Sequence, residues 1–212
     1  MKRVAIGMCI AALATGVLRT EARASMIVLP RPGQVGIGIQ GQFGALAKAG
    51  ELGDEFGSGP GLTVNLRYRM RFERGIGLRF EEQMLDARNP GKGEGAFIAL
   101  NQPGDTLLTR DKLRLVHAGL EIYQMFDTRT STVKMLSAGI GLTQISAQLS
   151  DGETQYPIAT DGMYLSVGAG IEKFFFRSWA WDLGTRYEAI LHDGLVNHDL
   201  QASLGLIFYA AY

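Results

Sequence analysis

The chain has almost no cysteine, because Cys9 is the single cysteine among 212 residues and it lies in an apolar run near the start. Apart from the run at residues 4–18, the sequence contains no long apolar run. The chain has 21 basic and 21 acidic residues, which gives a formal net charge of zero. These absences argue against disulfide chemistry, a helical membrane protein and a basic surface for nucleic acid.

The first 24 residues have the pattern of a secretory signal peptide. Lys2 and Arg3 precede the apolar run, and Ala22-Arg23-Ala24 provides a small-x-small cleavage site. The alternative, a transmembrane helix, is disfavoured because the run of 15 residues is shorter than the roughly 20 that a helix needs to span a membrane. We therefore expect cleavage after Ala24, which removes the cysteine.

The remaining chain has the length of one all-β domain. Removing residues 1–24 takes away four of 21 basic residues and one of 21 acidic residues, which leaves a net charge of about −3. Residues 25–34 contain Pro30, Pro32 and Gly33 and are interpreted as a periplasmic lead-in. Residues 35–212 are interpreted as the domain itself, and we expect no further domain.

The final stretch, residues 200–212, alternates strictly. Every second residue from Leu200 to Tyr212 is apolar or aromatic, whereas Gln201, Ser203 and Gly205 between them are polar or small. A period of two is typical of a β-strand with one apolar face. Seven further segments between residues 35 and 187 show the same alternation, so the sequence predicts eight strands.

With its terminal aromatic residue, this stretch resembles the closing strand of outer-membrane β-barrels of Gram-negative bacteria. The resemblance implies that Leu204, Leu206, Phe208 and Tyr212 form an assembly signal. It also implies that the barrel insertion machinery and periplasmic chaperones are partners. Over about residues 35–212 the chain resembles the small OmpA-like barrel family, which implies an all-β, eight-stranded antiparallel up-and-down transmembrane β-barrel in the outer membrane.

The links between the predicted strands alternate between long and short, as they do in barrels with short periplasmic turns and longer external loops. The predicted external loops cover residues 44–60, 85–111, 146–162 and 189–197. The predicted short turns cover residues 73–75, 127–131 and 175–178.

Charged residues share the strand face opposite the apolar one. Burying this charged face in a soluble core would be unfavourable, so we expect the apolar face to meet lipid and the charged face to fill a narrow lumen. We interpret the set as a paired charge network, with an ion or proton path as the alternative. Its members are Arg67, Arg69, Arg79, Glu81, Glu121, Glu172, Asp182 and Arg186.

The sequence offers no catalytic, metal-ligating or cofactor-binding pattern. The histidines are His117 in the fourth strand and His192 and His198 near the last predicted loop. Some barrels of this size modify lipid A, and the deacylase type has a His-x-Ser pair in this region. Here the chain reads His192-Asp193-Gly194, so an enzyme is the less favoured alternative. A soluble lipocalin-like carrier is also disfavoured, because its interior is apolar and its outside polar.

Arg110, Lys112 and Arg114 form a basic group at the start of the fourth strand, where they would meet lipopolysaccharide phosphates or simply be solvated.

We predict a monomeric outer-membrane barrel with a plugged polar lumen and a structural or surface-interaction role through its external loops. Its expected partners are outer-membrane lipid and lipopolysaccharide, not nucleic acid. The alternatives are a narrow porin-like channel and the lipid A-modifying enzyme.

Overall fold

A computed structural model describes residues 29–88, 109–150 and 155–210, and most of these residues are in β-strands. In chain order the elements are β1 (Val35–Leu46), helix α1 (Glu51–Glu55), β2 (Ser58–Arg69), β3 (Arg74–Asp86), β4 (Thr109–Phe126), β5 (Thr132–Ser150), β6 (Gln155–Phe176), β7 (Trp179–His192) and β8 (Leu195–Tyr209). In the described part of the chain, no helix has the length and hydropathy required to cross a membrane.

The eight strands close into a barrel. Each strand pairs antiparallel with the next, and β8 returns to pair with β1, where Leu206 lies opposite Ile39 and Phe208 opposite Ile37. Closure leaves no strand edge unpaired along this seam, and an unpaired edge would be a template for aggregation. The structure confirms the predicted all-β, eight-stranded antiparallel up-and-down barrel.

Side chains alternate between the outside and the lumen along each strand, because successive residues of a strand point to opposite faces. On β4, for example, Leu120 and Ile122 are exposed on the outside, whereas Glu121 between them is buried in the lumen. The apolar faces of the other strands also point outward. The barrel thus has the orientation that the alternation predicts, with its apolar face outside.

The barrel has two distinct ends. At the end that we call the turn end, β1 begins, β8 ends, and the links 70–73, 127–131 and 177–178 are short. At the opposite end, which we call the helix end, lie α1 and the link 193–194. There β3 and β5 end and β4 and β6 begin, with 22 and four residues between them in the sequence.

Three predicted loops at the helix end differ from the structure. The segment 44–60 contains α1 and the ends of two strands, and most of 146–162 belongs to β5 and β6, which pair as far as Ser150 and Gln155. The predicted loop 189–197 is wrong in the same way, because β7 and β8 continue to a two-residue link. There Asp193 and Gly194 have φ values of 48° and 78°, which fits the type I′ hairpin turn that Asp-Gly favours.

Two apolar layers fill the ends of the lumen. The helix-end layer consists of Leu46, Leu52, Phe56, Leu85, Leu113, Leu115, Ile145, Ala147, Tyr164 and Ile190. The turn-end layer consists of Tyr123, Met125, Val133, Met135, Phe174, Ala180, Ile207 and Tyr209, and Leu29 packs against it. An eight-stranded barrel is just wide enough for side chains to fill its interior. The buried charges of the lumen therefore lie mainly between two apolar layers.

Candidate functional site in the barrel lumen

The turn-side half of the polar lumen is organised around Glu172. This buried carboxylate accepts hydrogen bonds from Arg67, from Arg69 Nη2 at 2.7 Å and from the Tyr209 hydroxyl at 2.6 Å. Arg67 also reaches Asp182, with 3.3 Å between Nη2 and Oδ2. Two guanidinium groups and two carboxylates thus neutralise one another out of contact with water, the condition under which buried charges are tolerated.

Aromatic rings hold these arginines from the other side. The Arg67 guanidinium lies 4.4 Å from the centre of the Tyr123 ring, and that of Arg69 lies 4.8 Å from the centre of the Tyr209 ring. A desolvated cation over an aromatic face is attracted by the ring quadrupole. The Tyr123 hydroxyl in turn donates to Glu121, which also pairs with Arg186. The turn-end layer therefore supplies both the apolar seal and part of the polar network.

A second cluster surrounds Arg79. Its Nε and Nη2 atoms donate to Glu81 Oε2 at 2.9 and 2.7 Å, so the two side chains form a close pair. The other oxygen of Glu81 accepts from the amides of Gln42 and Gln201, the latter at 2.7 Å. The Glu81 carboxylate is therefore fully hydrogen-bonded inside the barrel, and its geometry is fixed by three strands.

In the helix-side half of the polar lumen, more buried polar atoms lack hydrogen-bond partners. His117 Nδ1 lies 3.5 Å from Glu188 Oε2, and Arg186 Nε lies 3.9 Å from Glu188 Oε1, which are ion-pair separations rather than hydrogen bonds. Several buried atoms here have no hydrogen-bond partner among the described residues: both ring nitrogens of His117, both carboxylate oxygens of Glu188, the hydroxyls of Thr143 and Tyr164, and Asp199 Oδ1.

All eight predicted lumen charges point into the barrel, and the structure places each of them in at least one ion pair with another. Sequence reasoning missed Glu188 and Asp199 as members of the lumen, because they lie just before and just after the predicted loop 189–197. The alternation that places Asp182 and Arg186 in the lumen continues to Glu188, so the signal was present in β7. His117 was placed in β4, yet nothing in the sequence links it to Glu188.

The other predicted site residues lie outside the lumen. Lys112 and Arg114 are exposed on β4 at the helix end, where Arg114 Nε donates to Glu82 Oε1 at 2.7 Å. Leu204 and Phe208 are exposed on β8, and Leu206 between them is half-buried. The side chain of Arg110, all of Tyr212 and the signal peptide 1–24 lie outside the described residues.

Two of the candidate histidines sit on the barrel surface. His198 Nδ1 is 2.6 Å from the Tyr187 hydroxyl, and their rings are stacked with centres 5.8 Å apart. His192 Nε2 lies 3.2 Å from Asp193 Oδ2 at the hairpin turn. Both contacts belong to the helix end of the barrel.

The free volume in the polar lumen is small. A cavity of about 30 Å³ is lined by residues that include Arg67, Arg79, Asp182 and Arg186, and it has room for about one water molecule. Such a cavity is too small for an organic ligand of ordinary size, which needs about 300 Å³ or more. The charged side chains around this cavity are therefore packed closely together.

Comparison with solved structures identifies several barrels of the same architecture. Neisserial surface protein A aligns with a TM-score of 0.57 and 16% identity over 82% of this chain and 96% of its own. Ail, the attachment invasion locus protein of Yersinia pestis, solved in complex with the heparin analogue sucrose octasulfate, aligns with a TM-score of 0.52 and 13% identity over 84% and 99%. The outer membrane protein OprG of Pseudomonas aeruginosa aligns with a TM-score of 0.52 and 12% identity over 88% and 100%.

At these identities the likeness shows the fold, which is that of eight-stranded outer-membrane barrels. No protein-family model matches the chain, and no curated protein matches it in sequence.

Proposed function

We propose that this chain is a Gram-negative outer-membrane protein that spans the bilayer as a sealed barrel and acts structurally or through the surface at its helix end. The observation that carries this proposal is an apolar outer face combined with a lumen filled by two apolar layers and a paired charge network. A soluble monomer rarely exposes a contiguous apolar patch of more than a few hundred square ångströms.

The dimensions of the apolar belt support this assignment. Outward-facing residues of β8 are apolar from Leu200 to Phe208, a span of roughly 20 Å at the usual rise and tilt of a barrel strand. The belt of outer-membrane barrels is about 25 Å tall and ends in aromatic girdles. Exposed aromatic residues at the turn end are Tyr68, Phe72, Phe126, Phe175, Phe176, Trp179, Trp181 and Phe208.

The short links assign the orientation. Outer-membrane barrels have short turns in the periplasm and longer connections outside. The turn end of this barrel then faces the periplasm, and the helix end, with α1 and the long link 87–108, faces the exterior. In this orientation β6, with 22 residues, extends past the end of β7 on the exterior side, and β4 and β5 pair with each other as far as Thr109 and Ser150.

The experiment that tests the proposal is membrane fractionation followed by conductance measurement. The full chain expressed in a Gram-negative host should fractionate with the outer membrane and migrate differently on a gel before and after heating. In planar bilayers the purified barrel should produce no steady conductance, whereas a general porin, as the control, should conduct. A large and steady conductance would contradict the sealed lumen and favour the porin-like alternative.

As the surface role, we propose contact between lipopolysaccharide phosphates and the basic residues at the start of β4. Lys112 and Arg114 are exposed at the helix end, where such phosphates lie in the outer leaflet. Replacing both by serine should weaken retention on immobilised lipopolysaccharide. Lys134→Ser is the matched control, because Lys134 is exposed at the turn end beside Asp127. Equal retention of both variants would contradict the contact.

We propose no enzymatic activity. The sequence His192-Asp193-Gly194 departs from the His-x-Ser pattern of lipid A deacylases, and these residues form a tight hairpin turn. Incubation of the purified barrel with lipopolysaccharide, followed by mass spectrometry of lipid A, should show no change in its acyl chains. Loss of an acyl chain would favour the enzyme alternative.

A further inference from the structure

We propose that Glu81, His117 and Glu188 form a binding site for one divalent transition-metal ion, such as Zn²⁺ or Mn²⁺, within the polar lumen. The sequence gives no hint of this site, because its three residues lie on β3, β4 and β7. The proposal is independent of any partner outside the barrel.

Barrel closure brings the three side chains together. Glu81 and His117 are directly opposite each other on the paired strands β3 and β4. Glu188 projects toward them from β7. One ligand atom from each residue lies within 4.8 Å of the other two.

The spacing is close to that of a metal site. Ligand atoms at about 2.1 Å from a tetrahedral ion are roughly 3.4 Å apart. The 3.5 Å separation of His117 Nδ1 and Glu188 Oε2 already matches this value. No separation in the set exceeds 4.8 Å, so side-chain movements of about 1 Å would bring the three ligand atoms to coordination distance.

The potential metal-ligand atoms of two of these residues are buried and have no hydrogen-bond partner. His117 is 1% exposed and Glu188 is 0% exposed, yet both ring nitrogens and both carboxylate oxygens lack a hydrogen-bond partner within the described ranges. Buried polar atoms are almost always hydrogen-bonded, and a buried carboxylate without a partner is especially unfavourable. A metal ion between His117 and Glu188 would bind one of these ring nitrogens and the Glu188 carboxylate at once.

The charges of the described lumen favour a divalent cation. Its buried side chains include six carboxylates and four guanidinium groups, a difference of two negative charges when all six carboxylates are ionised and His117 is neutral. The carboxylates are Glu81, Glu121, Glu172, Asp182, Glu188 and Asp199, and the guanidinium groups are Arg67, Arg69, Arg79 and Arg186. Of these six described carboxylates, Glu188 and Asp199 accept no hydrogen bond from arginine, and both lie in the helix-side half.

Glu81 is the third ligand and the least available one. Both of its oxygens already accept two hydrogen bonds, from Arg79 on one side and from Gln42 and Gln201 on the other. Coordination requires that Glu81 exchange one amide bond for the ion. Because the first two ligands are His117 and Glu188, the loss of either should affect metal binding more than the loss of Glu81.

The ligand types select the class of ion. Imidazole nitrogen is a ligand for Zn²⁺ and other transition metals, whereas Ca²⁺ and Mg²⁺ prefer oxygen ligands and, for Mg²⁺, retained water. The His117 ring also packs edge-on against Tyr164 of the helix-end layer, with ring centres 5.0 Å apart. The site therefore lies just beneath the apolar layer, and we expect metal to load while the barrel folds and to exchange slowly afterwards.

The test is metal content after refolding the mature barrel in detergent with Zn²⁺, with Mn²⁺, or with Mg²⁺ as the negative control. After removal of free ions, elemental analysis should find about one Zn²⁺ or Mn²⁺ per barrel and no retained Mg²⁺. His117→Gln and Glu188→Gln should each lower the content at least tenfold. The matched controls His198→Gln and Glu82→Gln alter the same residue types on the outside and should retain it.

The wild-type result decides the proposal even where a lumen variant does not fold. The proposal would be overturned if the wild-type barrel retained neither Zn²⁺ nor Mn²⁺. It would also be overturned if the His117→Gln variant folded and still retained the full metal content. Refolding with Co²⁺ provides a second readout, because a nitrogen-oxygen tetrahedral site gives the ion visible absorption bands. Bands that persist in folded Glu188→Gln would also contradict the assignment, and bands lost in that variant would support it.

Discussion

Replacing Glu172 by glutamine should destabilise the barrel strongly. The carboxylate is fully buried, and it accepts hydrogen bonds from Arg67, Arg69 and Tyr209. Glutamine keeps the shape of the side chain but removes its charge and turns one acceptor into a donor facing arginine. Arginine does not lose its proton in proteins, so only Asp182 remains to balance two buried guanidinium groups.

The expected loss of unfolding free energy follows from removing one partner of a buried ion pair, which destabilises proteins by about 3 to 5 kcal/mol. A loss of about 3 kcal/mol lowers the folding equilibrium constant by more than a factor of about 100. Urea unfolding of the barrel in phospholipid vesicles, followed by the fluorescence of Trp179 and Trp181, measures this loss. Both tryptophans lie on β7 near the turn end.

The matched control is Glu82→Gln, the same chemical change at a residue that faces outward. Glu82 pairs with Arg114 at 2.7 Å, and the two side chains are 43% and 53% exposed. Exposed pairs contribute about 0 to 1 kcal/mol, so this variant should unfold close to the wild-type urea concentration. A loss below about 1 kcal/mol for Glu172→Gln, or equal losses for both variants, would refute the reasoning that the lumen network stabilises the barrel.

Three further predictions concern assembly and processing. Leu204→Arg should block assembly, since arginine facing the bilayer midplane costs about 2 to 4 kcal/mol. Ser203→Arg should have a milder effect because Ser203 faces inward, and equal amounts of folded protein in the membrane for the two variants would contradict the face assignment. Gly205→Ala should weaken the barrel seam, because a Cβ there would clash with the backbone oxygen of Ile39 on β1. The control Gly41→Ala should be tolerated, because its Cβ would meet only one atom, at 3.9 Å, and equal urea midpoints for the two variants would disprove the difference. Intact mass of the exported protein should show cleavage after Ala24, and a retained leader would disprove export by this signal.

Some features that the sequence contained were still misread. The Asp193-Gly194 pair is a strong hairpin signal, yet the polar residues around it led to the prediction of a loop from 189 to 197. Asn197 and Asp199 are polar because they face the lumen, and not because they lie in a loop. In a barrel with a polar interior, polarity does not separate a loop from a strand, so the turn residues are the better guide.

Other features could not be read from the sequence. Leu113, Ile145 and Ile207 face inward although they are apolar, and they break the simple rule of apolar outside and polar inside. Their positions near the strand ends place them in the layers that seal the lumen. Whether an inward residue lies in the polar middle or in an apolar layer depends on its height in the barrel, which only the register of all eight strands defines.

The sequence by itself determined the number of strands and the alternation of two faces along each of them, because a period of two follows from the geometry of a single strand. It also indicated eight of the lumen charges, although Glu188 and Asp199 were missed. Only the tertiary structure decided which of those charges meet, because strand register and closure bring together residues as distant as Arg67 and Glu172. The meeting of His117 with Glu188 was decided in the same way, since the two strands that carry them face each other only across the closed barrel.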